Sequence, residues 1–193
     1  MVVILSSTKE KMIEKIKLPI PRQINFDVIQ YLGHHNFWNF VFDHDREAAP
    51  PFSQIMDSGP TTDSGFATIT YSINNHMKGT RPDEYLNNFG NWIYNFCREN
   101  SKVYNIIRLE RLYWNLYSRT SKCKLHDDMS ARNFTSIIYN FLDNDGGTQI
   151  QEHGFFPAKE REAVLFPSTL LHKGVGPTKN KWRLSLNLIV KTE

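Results

Sequence analysis

Apolar residues recur at helical spacing through one long stretch of the first half of the chain. Between Thr80 and Ser101 they follow the 3.6-residue period of an α-helix at Tyr85, Leu86, Phe89, Trp92, Ile93, Phe96 and Cys97. Thr80 and Asp83 have roughly the spacing of a capping box, and Pro82 lies in the first turn, where its missing N–H does no harm. The pattern predicts a helix over Thr80–Ser101 whose broad apolar stripe, including Trp92, packs against a β-sheet.

The rest of the first hundred residues has weaker signals. A short helix is predicted over Lys9–Lys17, where three apolar residues share one face and two prolines follow. Residues 43–65 have the composition of a long loop, of the kind that borders binding sites. A strand is predicted from Phe66 to Ile73.

From residue 103 onwards, apolar and aromatic segments alternate with turn signals. Strands are predicted near residues 104–117, 122–127, 134–141, 147–152, 163–167, 172–176 and 182–190. This pattern predicts a mainly β protein with supporting helices, built as an antiparallel sandwich or barrel. We expect one domain over residues 1–193, with helical and loop support from 1–102 and the β core in 103–193.

Two of the predicted strands have one apolar and one polar face. In the last strand the even-numbered residues from Trp182 to Val190 are apolar, whereas Arg183, Ser185 and Asn187 share the opposite face. The strand near 104–117 has the same division, with Leu112, Trp114 and Leu116 opposite Tyr113, Asn115 and Tyr117. Solvated strands usually carry Lys and Glu, so these polar faces favour the lining of a pocket.

Composition and charge exclude little but narrow the class of protein. Of the 193 residues, 40% are hydrophobic and 22% are charged, which is ordinary for a globular protein. The net charge of +3 indicates no dedicated nucleic-acid or membrane partner. The apolar run Val2–Leu5 is too short for a signal peptide or membrane span, and the two cysteines form no metal motif. We therefore expect a cytoplasmic protein with free thiols and no membrane partner.

The clearest candidate chemistry lies in the segment Leu125–Met129. His126 and Asp128 are two residues apart, so on extended backbone both side chains point to the same side. A second histidine would complete the two-histidine, one-carboxylate triad that is typical of non-haem Fe(II) oxygenases. His172 is the best candidate, because it follows an apolar strand and a turn and precedes a Gly/Pro hairpin.

Six ordered pieces of sequence over residues 110–190 resemble the 2-oxoglutarate- and Fe(II)-dependent dioxygenases. They are Asn115-Leu116-Tyr117, His126-Asp127-Asp128, Ser136-Ile137-Ile138-Tyr139, Gly146-Gly147-Thr148, Leu165-Phe166-Pro167-Ser168 leading to His172, and Arg183-Leu184-Ser185. The likeness is greatest to compact prolyl-4-hydroxylase-like members. The Asn-x-Tyr piece ahead of the first histidine is also similar to the nucleic-acid demethylase branch.

The resemblance implies a double-stranded β-helix, the cupin-like jelly roll in which helices buttress the larger sheet. It implies that Fe(II) is bound by His126, Asp128 and His172. It implies 2-oxoglutarate contacts from Arg183, Ser185, Asn115 and one of two tyrosines, Tyr117 or Tyr139. Such enzymes consume 2-oxoglutarate and O2, release succinate and CO2, and hydroxylate a C–H bond of the substrate. Other histidines are not expected to be ligands, and His153 is the one to check because it follows the Gly-Gly-Thr strand.

Three functions remain open from the sequence. The first is hydroxylation of a peptide or protein, including prolyl hydroxylation, or of a small molecule. The second is oxidative demethylation or hydroxylation of a nucleic acid, and the third is a non-catalytic jelly-roll module that keeps a metal site. Retention of every ligand together with Arg183 favours an enzyme. Substrate determinants are expected in the 43–65 loop and near the turns Asp143–Gly147 and Phe155–Glu162.

Overall fold

Ten strands and two helices make up the described part of the chain in this computed structural model, which covers residues 13–34, 39–42, 64–72, 83–121 and 123–193. The strands are β1 (Glu14–Lys17), β2 (Asn39–Phe42), β3 (Ser64–Ser72), β4 (Ile106–Ser118), β5 (Phe134–Asn140), β6 (Gly147–Ile150), β7 (Gly154–Pro157), β8 (Glu162–Pro167), β9 (His172–Val175) and β10 (Trp182–Thr192). The helices are α1 (Arg22–His34) and α2 (Glu84–Asn100).

The strands form two antiparallel sheets. The larger has seven strands in the order β1-β8-β5-β10-β4-β3-β2, and the smaller has three in the order β7-β6-β9. The sheets meet through their inner faces, where Ile150 of β6 packs with Ile138, Val164 and Phe166 of the larger sheet. Two facing antiparallel sheets with helices on one side are the arrangement that the sequence resemblance implies.

The main hydrophobic core lies on the outer face of the larger sheet, under the helices. Leu112 and Trp114 of β4 and the even-numbered residues Leu184 to Val190 of β10 pack there with residues of α1 and α2. Because side chains alternate along a strand, the odd-numbered residues from Arg111 to Tyr117 of β4 and from Arg183 to Ile189 of β10 face the smaller sheet. The pairing is irregular beyond Arg111, and Leu109 belongs to the outer core. The predicted division into apolar and polar faces is confirmed, and it aims the polar residues into the space between the sheets.

Helix α2 is fixed at its start and at its contact with β4. The carboxylate of Asp83, the N-cap residue, accepts a hydrogen bond of 2.8 Å from the backbone N–H of Leu86. Gly90 lets the helix approach the sheet closely, because an added Cβ would lie 2.7 Å from Leu112 Cδ1. The predicted helix is confirmed over Glu84–Asn100. Thr80 lies outside the described residues.

The predicted apolar stripe of α2 is wider than the surface that the sheet covers. Leu86 and Ile93 are fully buried, but Tyr85 is 41% exposed and Trp92 is 43% exposed. Trp92 stacks on Phe96 at 5.7 Å on the flank of the helix. The prediction that Trp92 is a core residue is therefore wrong, because helical periodicity locates a face without giving the width of the contact.

The first half of the chain supplies strands as well as helical support. Residues Glu14–Lys17, predicted as the end of a helix, instead form β1 and pair with β8 at the edge of the larger sheet. The carboxylate of Glu14 also accepts hydrogen bonds from Ser101 Oγ at 2.6 Å and Lys102 N at 2.8 Å, just after α2. These tertiary contacts override the weak local helical pattern, which the sequence alone cannot weigh. Helix α1 and strands β2 and β7 are also absent from the sequence-based prediction.

A turn contact fixes the start of β10. Asp145 accepts hydrogen bonds from Thr178 N and Oγ1 and from Lys179 N, at 2.6 to 2.8 Å. These bonds, that from the Thr178 hydroxyl first, hold the pKa of Asp145 well below its ordinary value. The loop before β6 is thereby joined to the loop before β10, which places Arg183 opposite Gly147.

In the described part of the chain, no helix is both long and apolar enough to cross a membrane.

The packing of α2 predicts opposite outcomes for two neighbouring residues. Ile93→Ala should lower the free energy of unfolding by about 2–5 kcal/mol, because Ile93 is fully buried and truncation leaves a cavity. Trp92→Ala should change it by about 1 kcal/mol or less, because that side chain is largely exposed. Urea unfolding of both variants checks the pair, and a larger loss for Trp92→Ala would contradict the packing described here.

Candidate metal centre

Two histidines are brought face to face by a pair of backbone hydrogen bonds. The backbone N–H of His126 donates to the carbonyl of His172 at 2.9 Å, and the reverse bond is also 2.9 Å. The segment predicted as a strand over 122–127 is reduced to this single antiparallel bridge at the edge of β9. Directly paired residues carry their side chains on the same side, and the two imidazole centroids are 4.6 Å apart.

Asp128 is held beside the histidines by the turn that follows β8. The carbonyl of Ser168 accepts hydrogen bonds from Asp128 N at 3.0 Å and Met129 N at 3.4 Å. Ser136 of β5 donates from its hydroxyl to Asp128 Oδ2 at 2.6 Å and also contacts the Ser168 hydroxyl at 2.8 Å. The carboxylate is fully buried, and its position is therefore fixed from both its backbone and its side chain.

Both histidines present the ring nitrogen that a metal needs. Nδ1 of His126 lies 3.1 Å from the carbonyl of Lys124, and Nδ1 of His172 lies 3.0 Å from the carbonyl of Leu170. A carbonyl can only accept, so each Nδ1 carries the proton and each Nε2 offers a lone pair. Burial lowers the pKa of His172, which favours the neutral imidazole that binds metals.

The three ligand atoms have the spacing of a metal site. The candidate atoms of His126, Asp128 and His172 all lie within 4.8 Å of one another. The Nε2 atoms of His126 and His172 are 3.9 and 3.4 Å from the nearer oxygen of Asp128. Two ligands that share one ion at about 2.1 Å, at right angles, lie roughly 3 Å apart. A small closure of the site therefore fits a divalent metal with two imidazoles and a carboxylate.

The ionisation state of Asp128 also suits a metal ligand. Burial alone raises the pKa of this carboxyl, but attraction to His172 and His126 in their protonated forms, attraction to Arg111 and the hydrogen bond from Ser136 outweigh it and lower the pKa below the ordinary value. The carboxylate is therefore ionised at neutral pH. An ionised oxygen donor with neutral imidazoles is the form that a divalent ion binds.

A chain of hydrogen bonds crosses the inner face of β4 and β10 and ends on Asp128. The hydroxyl of Tyr113 donates to Asp128 Oδ1 at 2.8 Å, and Asn187 Nδ2 donates to the same hydroxyl at 3.2 Å. Ser185 Oγ in turn donates to Asn187 Oδ1 at 3.0 Å. Burial, with the nearby Asp128 charge, raises the pKa of Tyr113 well above its ordinary value, so the hydroxyl stays a donor.

Tyr113 and Asn187 thus orient a predicted ligand, a role more specific than the lining of a pocket that their strand faces indicate. The available signal was their shared strand face with Asn115 and Arg183. Ser185, predicted to contact the cosubstrate, belongs to this chain of hydrogen bonds. It is the next residue to Asn187 on the same face of β10.

Arg183 is a buried cation without an anionic partner in the described part of the chain. Its guanidinium donates to the carbonyl of Gly147 at 2.5 Å, to Asn140 Oδ1 at 3.1 Å and to Thr148 Oγ1 at 3.2 Å. The ring of Tyr117 lies against it, 5.1 Å from the guanidinium carbon. Nε makes no hydrogen bond, and no carboxylate of the described residues pairs with the group. Burial lowers the pKa of Arg183, although a guanidinium stays charged.

Asn115 and Tyr117 lie on the same inner face as Arg183. In the register of β4 and β10, Tyr117 is opposite Arg183 and Asn115 is opposite Ser185. Gly174 of β9 lies against the Tyr117 ring, and a Cβ at that position would overlap it. The glycine therefore allows the aromatic ring to lie between the two sheets beside the guanidinium.

Tyr139, the other tyrosine proposed for the cosubstrate, faces the wrong way. Its hydroxyl donates to Asn25 Oδ1 at 2.6 Å within the core under the helices. On β5 the inward-facing residues are Ser136 and Asn140, which contact Asp128 and Arg183. Tyr139 is an odd number of residues from Ser136, so strand alternation turns it to the outer face. The prediction that Tyr139 contacts the cosubstrate is wrong.

His126, Asp128 and His172 form the one group of three metal-binding side chains in the described residues. His153 lies in the turn after β6 and is not part of the group. His35, His44 and His76 lie outside the described residues.

Several solved structures have the same fold. The chain aligns over 94% of its length with 92% of a Pseudomonas putida prolyl-4-hydroxylase, at a TM-score of 0.56 and 12% identity. A Trichoplax adhaerens prolyl hydroxylase in complex with a peptide fragment of hypoxia inducible factor aligns over 95% of this chain and 84% of its own, with a TM-score of 0.59 and 12% identity. HygX from Streptomyces hygroscopicus, with nickel and 2-oxoglutarate bound, aligns over 94% and 84%, with a TM-score of 0.61 and 9% identity.

These structures establish the fold of the chain. It is a jelly roll, a fold that the chain shares with these oxygenases, and the sequence-based prediction of a mainly β, double-stranded β-helix is confirmed. No family model matches the sequence. No curated protein sequence matches it either.

The geometry of the centre predicts which histidine a metal requires. His172→Ala should abolish the visible absorption of bound Co(II), because it removes one of three ligands, while His153→Ala should leave it intact. Co(II) affinity of the unaltered protein should fall with decreasing pH, since the imidazoles must be deprotonated to bind. Spectroscopic titration with Co(II) checks both points. An unchanged spectrum in His172→Ala would contradict the assignment.

Proposed function

We propose that the protein is a 2-oxoglutarate-dependent Fe(II) oxygenase that hydroxylates a C–H bond of its substrate. Fe(II) is held by His126, Asp128 and His172, and Arg183 holds the distal carboxylate of 2-oxoglutarate. The observation that carries the proposal is the pairing of a preformed triad with a buried guanidinium on the same inner surface, to which no described residue brings an anion. The shared fold with enzymes of this chemistry supports it.

The donor count of Arg183 matches a carboxylate. A guanidinium has five N–H donors, and the protein uses three of them, on Gly147, Asn140 and Thr148. The two that are left, one on Nε and one on Nη1, are donors that an incoming carboxylate can use. The three protein acceptors fix the plane of the guanidinium before the cosubstrate binds, which lowers the entropic cost of binding.

The other polar residues of the inner face orient the triad. Tyr113 and Ser136 each donate to a different oxygen of Asp128, which fixes the carboxylate plane. Backbone carbonyls fix the tautomer of both histidines. When bound, Fe(II) together with 2-oxoglutarate supplies the activation of O2 that ends in succinate, CO2 and a hydroxylated product. The enclosing sheets limit the access of bulk water to this chemistry.

A peptide or protein is the substrate class that we propose, with prolyl hydroxylation the reaction to test first. The support is the likeness to prolyl hydroxylases, one of which is solved with a peptide. Nucleic-acid oxidation is the second candidate, favoured by the sequence motif of Asn115 and Tyr117 on the inner face.

We further propose that residues 1–193 form one domain, because β1 and β3 pair with strands of the second half. A cytoplasmic location stays a prediction.

Cosubstrate binding should depend on Arg183 separately from metal binding. Arg183→Lys should raise the KM for 2-oxoglutarate, because it keeps the charge but loses the planar fork. Arg183→Ala should raise it further, by a factor of about ten per 1.4 kcal/mol of lost binding. Succinate release at varied 2-oxoglutarate concentration, with a panel of peptide, nucleoside and amino-acid substrates, measures both effects.

Arg108→Lys is the matched control for this series. Arg108 is also an arginine of the larger sheet, but it is half exposed and paired with Glu110. Substitution of Arg108 should leave the KM for 2-oxoglutarate unchanged. Fe(II) affinity without cosubstrate should be the same in all variants, because the guanidinium is not a metal ligand. A KM that does not respond to Arg183→Ala would contradict the proposed role.

A further inference from the structure

Arg111 is a second buried guanidinium on the inner face, next to the metal centre. Its side chain is 9% exposed, and its Nε and Nη2 atoms have no hydrogen-bond partner among the residues that the structure describes. The guanidinium carbon lies 4.9 Å from the centroid of the Tyr113 ring. Arg111 follows the same strand alternation as Tyr113 and Tyr117, so all three side chains belong to the pocket face of β4.

Asp128 does not satisfy this guanidinium. The shortest separation, from Arg111 Nη2 to Asp128 Oδ1, is 4.0 Å, which is beyond hydrogen-bond distance. Both oxygens of Asp128 already accept shorter bonds, from Tyr113 at 2.8 Å and Ser136 at 2.6 Å. Burying charged donors without acceptors costs free energy, and such groups are rare in folded proteins unless a ligand uses them.

With Fe(II) and 2-oxoglutarate bound, the site would have one positive charge more than it has negative charges. Fe(II) and the guanidiniums of Arg111 and Arg183 bring four positive charges. Asp128 and the two carboxylates of 2-oxoglutarate bring three negative charges. No further acidic side chain among the described residues is paired with Arg111.

We propose that Arg111 is an anion-binding subsite for the primary substrate, and that it receives a carboxylate beside the metal. The inference rests on the proposed oxygenase function and names one substrate determinant of that site. Along β4, Tyr113 and Asn115 separate Arg111 from Tyr117, the register partner of Arg183. At about 3.3 Å per residue, the backbone positions of Arg111 and Tyr117 are roughly 20 Å apart. The two cations therefore lie toward opposite ends of the pocket, and the triad, through Asp128, is on the Arg111 side.

A carboxylate bound at Arg111 would fix the orientation of a substrate relative to the metal. Its charge-assisted hydrogen bonds would be made to Nε and Nη2, the two donors that the protein leaves unused. The ring of Tyr113 under the guanidinium limits its movement. Specificity would follow from this pairing, because an uncharged analogue leaves the buried cation without an acceptor.

The test follows the Arg111 side chain itself. The full chain is loaded with Zn(II), which is diamagnetic and redox-inactive, and with 2-oxoglutarate. The Arg111 Nε–H signal is recorded by ¹H–¹⁵N NMR and assigned by its loss in Arg111→Lys. Sodium acetate is then titrated at constant ionic strength, with acetamide as the uncharged control probe. We expect a saturable shift of the signal with acetate and none with acetamide.

Two results would overturn the inference. Absence of a saturable shift with acetate means that the guanidinium is only structural. Saturation by 2-oxoglutarate alone, so that acetate has no further effect, means that Arg111 binds the cosubstrate instead. Failure of Zn(II) and 2-oxoglutarate to bind at all would contradict the proposed oxygenase function, and is thus distinguishable from both.

A variant pair provides an independent measurement. Arg111→Gln should change the Kd for 2-oxoglutarate by less than about twofold, whereas the loss of acetate binding should be complete. Arg108→Gln, which alters an exposed arginine of the same strand, should affect neither. An Arg111→Gln variant whose Kd for 2-oxoglutarate rises as much as that of Arg183→Ala would also contradict the assignment.

Discussion

The reciprocal backbone hydrogen bonds between His126 and His172 are the constraint on which the metal centre depends. They place two residues that are far apart in sequence directly opposite each other, with both rings on the pocket side. A shift of one residue in this pairing would turn both rings away, because side chains alternate along extended backbone. Ser168 then adds Asp128 to the pair, through backbone bonds from the turn after β8. Three ligands from two short segments are thus positioned by main-chain contacts before any metal binds.

The division of the larger sheet into two faces allows a buried polar site in a stable fold, because the apolar core lies on the other face. The outer face packs under α1 and α2 and contains most of the buried apolar residues. The inner face is consequently free to carry tyrosine, asparagine and serine side chains, which satisfy one another in a connected network. The two inner-face guanidiniums, Arg111 and Arg183, are the exceptions, since both have buried nitrogen atoms without a partner. Unsatisfied cations within a satisfied network are where ligand anions are expected.

Periodicity predicted those parts of the structure in which one local rule dominates. Strand alternation identified the faces of β4 and β10, and the spacing of His126 and Asp128 indicated two of the three side chains that the structure brings together with His172. Alternation from Ser136 also turns Tyr139 to the outer face, which the sequence motif alone does not reveal. Arg111 shares the parity of Tyr113, but its role depends on burial and on missing partners, which no spacing reveals. Strand β1 depends on pairing with residues near Leu165, and such distant contacts are not encoded in a local pattern.

Anomalous diffraction from crystals of the full chain grown with Mn(II) and 2-oxoglutarate tests the central claim most directly. The predicted result is one strong peak, with ligand distances of about 2.0–2.3 Å, bound by the Nε2 atoms of both histidines and by Asp128. The distal carboxylate of 2-oxoglutarate should lie on the free donors of Arg183. A peak coordinated by other side chains, or a cosubstrate whose distal carboxylate lies away from Arg183, would contradict the proposed site.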